Sequence, residues 1–232
     1  MNDKFYHGTS SYFLDSIREK GLGTINPNFE FKFLDLLHFL FSLAETNLLS
    51  DKEYLKVRSS TKAMVFQEPL ILEVSGTKQI FNFRHKNIYA SYGETRAVVY
   101  AVNTEFGSEI LSRVVLIYRL LTNRIGSIEI PLDLDLCDID TISRKKFEPI
   151  LVRVDNLNHE ELCSEFGEPS EVSLKKIQQM KKTLDYKSFH DKVQFINFEL
   201  LKPIESNRLR IYKVIHIGLP NEPNFSWKLV EI

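Results

Sequence analysis

Strand-like segments stand at both ends of this 232-residue chain, and helical patterns fill most of the region between them. Runs rich in β-branched and aromatic residues predict the strands, and apolar residues that recur every three or four positions predict the helices. Strands and helices that are segregated in this way indicate a mixed α+β fold rather than a doubly wound parallel sheet. With 43% hydrophobic residues, the chain can form one substantial core, so we expect a single domain over residues 1–232.

The local signals divide most of the chain into elements. The apolar spacing predicts a first helix that Ser10 or Ser11 caps and Gly21 ends. Further helices are predicted over 31–44, after Ser50, and over 93–102, 111–121 and 158–184. Strands are predicted at 69–75, ended by Gly76, and at 88–91, 127–130, 132–139, 149–154, 193–201, 209–217 and 225–230. The segment 21–30, with its Gly, Asn and Pro residues, reads as a loop.

The composition constrains the cellular setting. The formal net charge is −1, so any basic surface must be local. The two cysteines, Cys137 and Cys163, do not suggest a disulfide framework, and we expect small core residues in a reducing compartment, the cytoplasm. Neither a secretory signal nor an uninterrupted apolar stretch of about 20 residues is visible, so no membrane association is expected.

Three short segments each present one chemically useful side chain between apolar neighbours. They contain His7 (residues 5–10), Tyr89 (87–91) and Glu199 (197–204). Each segment reads as a strand that is followed by helix or turn signals.

The order His, Tyr, Glu resembles that of the NAD-consuming ADP-ribosyltransferases, and in particular the bacterial toxin-type mono-ADP-ribosyltransferases. The motif around Tyr89 and Ser91, followed by a helix with Tyr100, is similar to the second motif of that family. Glu199 followed by apolar residues and then Pro203 is similar to the third motif. The resemblance implies an ADP-ribosyltransferase-like fold of mixed sheets with flanking helices; it does not extend over residues 111–192.

The resemblance also implies roles for individual residues. His7 would bind a ribose hydroxyl of the adenosine side, with Thr9 beside it, and Gly8 would present its backbone to the nicotinamide amide. Tyr89 would stack on the nicotinamide ring. Glu199 would bind the 2-hydroxyl of the nicotinamide ribose and stabilise the cation that develops as the glycosidic bond breaks. Ser91 and Tyr100 would complete the cofactor-binding set, with NAD as co-substrate and no metal.

Asn197 departs from the family pattern, because members that modify arginine usually carry Gln or Glu two residues before the catalytic Glu. An arginine acceptor is therefore disfavoured, although the amide of Asn197 could still orient another nucleophile through hydrogen bonds. The acceptor is left open between a nucleic acid and a protein.

The function predicted from the resemblance is transfer of ADP-ribose from NAD to a macromolecular acceptor, with release of nicotinamide. By analogy with the family, the setting would be the toxin of a toxin–antitoxin or phage-defence system, with an antitoxin protein as a partner. The alternative is a non-catalytic module that binds a nucleotide or a partner on the same fold. A related NAD-dependent RNA phosphotransferase is disfavoured, because that family uses pairs of His and Arg where this chain has Tyr89 and Glu199.

Other patterns have simpler interpretations. The lysines at 175, 176, 181, 182 and 187 could bind nucleic acid, or they could form the solvated face of a helix. His159 and Cys163 have an acceptable zinc spacing on a helix but no second ligand pair. The acidic residues between 133 and 140 alternate with apolar ones, which favours a solvated strand face over a calcium loop. For the catalytic carboxylate, Glu160, Glu161 and Glu171 compete with Glu199.

Overall fold

The computed structural model describes residues 3–74, 77–81, 83 and 86–232. The α-helices are α1 (Leu14–Lys20), α2 (Pro27–Glu30), α3 (Phe33–Asn47), α4 (Lys52–Phe66), α5 (Glu94–Asn103), α6 (Glu109–Ile125), α7 (Ile139–Arg144), α8 (Ser170–Thr183) and α9 (Tyr186–Val193). The strands are β1 (Lys4–Ser10), β2 (Leu70–Val74), β3 (Thr77–Phe81), β4 (Tyr89–Ser91), β5 (Pro149–Asp155), β6 (Leu162–Ser164), β7 (Asn197–Leu200), β8 (Leu209–Ile217) and β9 (Ser226–Glu231). Helix makes up about 48% and strand about 21%, which confirms the predicted α+β class.

The chain forms two compact units. The first, here the sheet unit, comprises Met1–Ile25, Asn87–Ser108 and Lys146–Ile232. The second, here the helical unit, comprises Asn26–Lys86 and Glu109–Lys145. None of the helices that the structure describes is long and apolar enough to cross a membrane.

The sheet unit is built on a seven-stranded sheet in the order β6-β7-β4-β1-β5-β8-β9. All of its pairings are antiparallel. The central strand β1 pairs with β5 along its whole length, from Lys4 opposite Asp155 to Ser10 opposite Pro149. Phe5 is buried and packs edge to face against Phe198 of β7. The sequence signals for β1 and for the helix after it are confirmed, since Ser10 caps the turn that leads into α1 and Gly21 ends that helix with φ +85°.

Helix α5 lies close against β1 because Gly8 has no side chain. A Cβ atom at Gly8 would stand 2.1 Å from the carbonyl oxygen of Ala97. Ala97 and Val98 are buried in a cluster with Leu151 of β5. The apolar stripe of 93–102 therefore predicts both the helix and its buried face correctly.

In the helical unit, α3 packs on α6 through fully buried apolar side chains, which include Leu36, Leu37 and Leu40 of α3. The prediction of a buried helix over 31–44 is thus confirmed. Helix α4 begins one residue later than the proposed Ser50 cap, because the Asp51 side chain accepts the bond from the Tyr54 amide. Strands β2 and β3 form a hairpin, and the glycine predicted to end β2, Gly76, lies outside the described residues.

The acidic stretch before residue 140 does not form strands, so the predictions for 127–130 and 132–139 were wrong. Asp138 has φ +52° and caps α7 by accepting from the Thr141 amide, and the Asp135 carboxylate accepts from the amide of Ile139. Aspartate competes with the strand ladder by bonding nearby backbone amides. The alternation of acidic and apolar residues therefore marks a helix cap.

The prediction of a helix over 158–184 was also only partly correct. Its helix is α8, whereas residues 159–161 form a short 3₁₀ turn and 162–164 form the edge strand β6. His159 and Cys163 consequently do not share a helix face, which removes the premise of a zinc pair at helical spacing. Helix α9 occupies 186–193, for which no helix was predicted, and the strand predicted over 193–201 is confined to 197–200. The segment 21–30, predicted to be a loop, contains α2.

Candidate functional site

The three segments that carry His7, Tyr89 and Glu199 form adjacent strands of the sheet. Glu199 lies on β7, Tyr89 on the neighbouring β4, and His7 on the next strand, β1. Residues that are far apart in the sequence are therefore brought to three consecutive strands. The signals for the strands could be read locally, but their order in the sheet could not.

Tyr89 and Glu199 are direct cross-strand partners, and Ser91 is opposite Asn197 in the same ladder. Antiparallel residues that face each other share one face of the sheet. Because side chains alternate along a strand, all four residues project from the same face. A tyrosine and a carboxylate that were predicted to act together thus stand about 5 Å apart at their Cβ atoms.

His7 occupies the place where β1 and β4 separate. The two strands are in register at Tyr6 opposite Ser91. One residue further, His7 alternates to the face of the sheet opposite Ser91, Tyr89 and Glu199, and its Nδ1 atom lies 2.7 Å from the backbone carbonyl oxygen of Tyr89. Since a carbonyl only accepts, Nδ1 carries the proton and Nε2 remains the acceptor of the neutral ring. Burial lowers the pKa of His7, and the hydrogen bond to Tyr89 opposes this in part.

Glu199 is half-buried and is bonded to one amide. The Nδ2 group of Asn87 donates a hydrogen bond to its Oε1 atom. Asn87 precedes β4 by two residues and begins the segment 87–91, but the sequence patterns assign it no role. The contact joins residues 112 positions apart, so no local signal could have assigned it.

The other side of Glu199 faces the edge strand, where Cys163 is its cross-strand partner. Burial raises the pKa of the Cys163 thiol, and the negative charge of Glu199 raises it further. Both effects disfavour the thiolate form of Cys163.

Gly8 and Thr9, both predicted to contact the cofactor, have clear packing roles. Gly8 permits the close approach of α5. Thr9 is only 1% exposed, and its hydroxyl donates to the carbonyl of Gly107 at 3.3 Å. The Thr9 side chain is thus engaged within the fold, while the proposed ligand contact of the Gly8 backbone stays a prediction.

Ser91 supports the helix that carries Tyr100. The hydroxyl of Ser91 lies 2.9 Å from the carbonyl oxygen of Gly93, the residue that caps α5. The first turn of α5 receives a second contact from Gln194, whose side-chain oxygen accepts from the Arg96 amide at 2.7 Å. Tyr100 is half-buried on α5. Ser91 therefore supports the start of α5 through its hydrogen bond to Gly93.

Asn197 is bonded away from Glu199. Its Nδ2 group donates to the Glu165 carboxylate at 2.9 Å, just beyond the end of β6. The backbone continues this pairing, because the Glu165 amide donates to the Asn197 carbonyl at 3.2 Å. Glu165 thus orients the amide that was predicted to position an acceptor.

The competing carboxylates stand elsewhere. Glu161 forms a bidentate ion pair with Arg208, and Glu171 faces His159 at 3.4 Å on an exposed surface. Glu160 is exposed. Glu199 is the member of this set that shares a sheet face with Tyr89. Within the described ranges, no group of three or more His, Cys, Asp or Glu side chains is arranged to hold a metal ion.

Comparison of the chain with protein-family models, with curated protein sequences and with solved structures finds no match.

Proposed function

We propose that the protein is a NAD-dependent mono-ADP-ribosyltransferase that releases nicotinamide and attaches ADP-ribose to a macromolecular acceptor. The observation that supports the proposal most strongly is the strand order β7-β4-β1. It brings Glu199, Tyr89 and His7 to three neighbouring strands, with Glu199 directly opposite Tyr89 and His7 bonded to the Tyr89 carbonyl. The sequence motifs independently predict that these three residues act together.

In the proposed reaction, the bond between C1′ of the ribose and the ring nitrogen of nicotinamide breaks, and nicotinamide leaves with both electrons of that bond. The positive charge that develops on the ribose is stabilised by the carboxylate of Glu199. An acceptor atom supplies an electron pair to form the new bond to C1′ and loses its proton to solvent. Water in the same role gives free ADP-ribose.

Binding of NAD would use the two remaining residues. The neutral ring of His7 keeps Nε2 available to accept a hydrogen bond from a ribose hydroxyl. The ring of Tyr89 supplies a stacking surface on the same face as Glu199. The hydrogen bond from Asn87 holds the Glu199 carboxylate in one orientation. The toxin–antitoxin setting rests on the family resemblance alone and remains part of the proposal.

The experiment uses NAD labelled in its adenylate moiety, incubated with the purified protein and a bacterial lysate. We expect label to appear in macromolecular material with the wild-type protein and to be absent with Glu199→Gln. Parallel digestion with protease, DNase and RNase identifies the acceptor class by which enzyme removes the label. Absence of labelled material, together with tight NAD binding, would favour the non-catalytic binding module.

A further inference from the structure

We infer that the segment 165–195 of the sheet unit is a binding surface for single-stranded nucleic acid, which serves as the acceptor of the proposed transfer. This inference deepens the proposed function, because it names the substrate class for the same site. It rests on two independent properties of the segment, its lysines and its exposed aromatic rings.

The lysines of α8 and α9 lie in solvent. Lys175, Lys176, Lys181, Lys182 and Lys187 are all exposed, and among the described residues none of them forms an ion pair. Helix α8 packs through Ser170, Ser173 and Ile177, which are buried. The lysines of α8 thus lie on the solvent-exposed side of that helix.

The acidic residues of the same segment all lie outside the stretch 172–184, which carries Lys175, Lys176, Lys181 and Lys182. The Asp185 carboxylate caps α9 by accepting from the Ser188 amide and hydroxyl, and Glu165 accepts from Asn197. Glu171 faces His159. The stretch 172–184 therefore carries four lysines and no carboxylate, and its positive charge complements a chain of phosphates.

Three aromatic side chains in this segment are exposed to an unusual extent. Phe166 is 84% exposed, Phe195 81% and Tyr186 80%. A phenylalanine that contributes this little to a core is costly to leave in water, since large aromatic rings normally dominate cores and interfaces. Stacking of unpaired bases on such rings, next to lysines that bind phosphates, is the general means of holding single strands. A duplex, whose bases are already stacked, gains little from them.

Two of the aromatic residues, Phe166 and Phe195, lie next to the backbone end of the β6–β7 ladder. Phe166 follows Glu165, whose amide donates to the carbonyl of Asn197, and Phe195 precedes Asn197 by two residues. Both rings thus stand at the end of the β6–β7 ladder that leads to Glu199. A base stacked there would be adjacent to the Asn197 amide, and a nitrogen or oxygen atom of that base would be the nucleophile.

The test measures fluorescence anisotropy of labelled mixed-sequence DNA and RNA single strands of about 16 nucleotides, the upper end of the footprint of a small binding module. Glu199→Gln protein without NAD is used, so binding is scored separately from catalysis. We expect single strands to bind at least about tenfold more tightly than a duplex of the same length. Equal affinity for the duplex would overturn the assignment of single strands.

Two variants locate the surface. Replacing Lys175, Lys176, Lys181 and Lys182 by Gln should reduce the slope of log K against log salt concentration by about 3 in magnitude. Each lost phosphate contact on a single strand contributes about 0.7 to that slope. The control replaces four exposed lysines elsewhere, Lys20, Lys52, Lys62 and Lys228, with the same change in charge. Phe166→Ala with Phe195→Ala should weaken binding of single strands about tenfold at constant salt.

Unchanged oligonucleotide binding in the α8 variant, or an equal loss in the control, would overturn the inference. So would a wild-type protein that binds no oligonucleotide but labels a protein in lysate, an outcome that leaves the proposed function standing. Conversely, strong binding to single strands without any nicotinamide release would contradict the proposed function. The assignment of segment 165–195 as a binding surface for single strands would still stand.

Discussion

The two units use their polar side chains in different ways. In the helical unit, Glu45 accepts a bidentate hydrogen bond from Arg58 and a further one from the Tyr54 hydroxyl. Arg113 donates to the Val57 carbonyl and to two hydroxyl groups of α4. These groups satisfy one another, which is the pattern of polar residues that stabilise a fold.

In the sheet unit, the polar groups of the candidate site have few partners. His7 is bonded through one ring nitrogen, and Glu199 receives its bond from the single amide of Asn87. A carboxylate can accept several hydrogen bonds, so both residues retain capacity for a ligand. His7 and Glu199 are thus only partly hydrogen-bonded on adjacent strands, whereas Glu45 and Arg113 are bonded through several atoms to neighbouring groups of the helical unit. The four predictions below test this difference.

The largest effect is expected for Glu199→Gln. The rate of nicotinamide release should fall about a hundredfold or more, because the carboxylate stabilises charge that develops only in the transition state. The affinity for NAD, measured by calorimetry, should change little. Glu160→Gln, on an exposed turn, is the matched control and should behave as wild type. Wild-type turnover in Glu199→Gln would assign the catalytic carboxylate to another residue.

His7→Ala and Tyr89→Ala should each weaken NAD binding by about 1 to 3 kcal/mol. The first removes a ribose hydrogen bond and the second removes a stacking surface. His216→Ala serves as the control for loss of a histidine. His216 lies on β8, and its ring is bonded to the carbonyl of Gly218, just after that strand. If calorimetry gives unchanged affinity in both folded variants, the binding assignment is wrong.

Asn87→Ala should lower the rate of nicotinamide release about tenfold while the NAD affinity stays close to that of the wild type, as expected for the loss of one hydrogen bond to a charged group. Asn207→Ala provides a matched control, since that exposed amide also bonds a carboxylate, Glu205, at 3.4 Å. A parallel loss of NAD binding and of thermal stability in Asn87→Ala would mean that the amide supports the fold rather than orienting Glu199.

The smallest effect is expected in the helical unit. The guanidinium of Arg58 lowers the pKa of Glu45 from 4.5 to about 2. Because the folded-state value is depressed, the contribution of Glu45 to stability is present above about pH 4.5 and is lost as the pH falls toward 2.

Glu45→Gln should therefore cost about 1 kcal/mol in urea unfolding at pH 7 and almost nothing at pH 2. Nicotinamide release at pH 7 should not change. Glu53→Gln, which removes an exposed pair with Lys56, should have a smaller effect at both pH values. A loss of NAD turnover in folded Glu45→Gln would contradict the division of roles between the units.

Local signals predicted the parts of the fold that depend on local physics. The apolar stripes of α3, α5 and α6, the cap at Ser10 and the stop at Gly21 all follow from side-chain periodicity and backbone preference. The errors came where a side chain bonds a nearby amide instead of joining a strand. Asp135 and Asp138 cap a helix within a pattern that alternates like a strand.

For the candidate site, the motifs identified which strands matter but not how they are arranged. That Tyr89 faces Glu199 depends on a pairing between residues more than 100 positions apart. The bond from Asn87 depends on the same pairing. The packing roles of Gly8 and Thr9 depend on α5 and on Gly107, which approach only when the chain is folded. Contacts of this kind carry no periodic signal in the sequence.

The central claim is that the strands β7, β4 and β1 form a centre that cleaves NAD. It is tested most directly by the time course of nicotinamide release from NAD by the purified protein, with and without bacterial lysate, followed by chromatography. The account predicts more than one nicotinamide released per wild-type molecule and only background release by Glu199→Gln. Release that never exceeds background in the wild type, or equal release by both proteins, would contradict it.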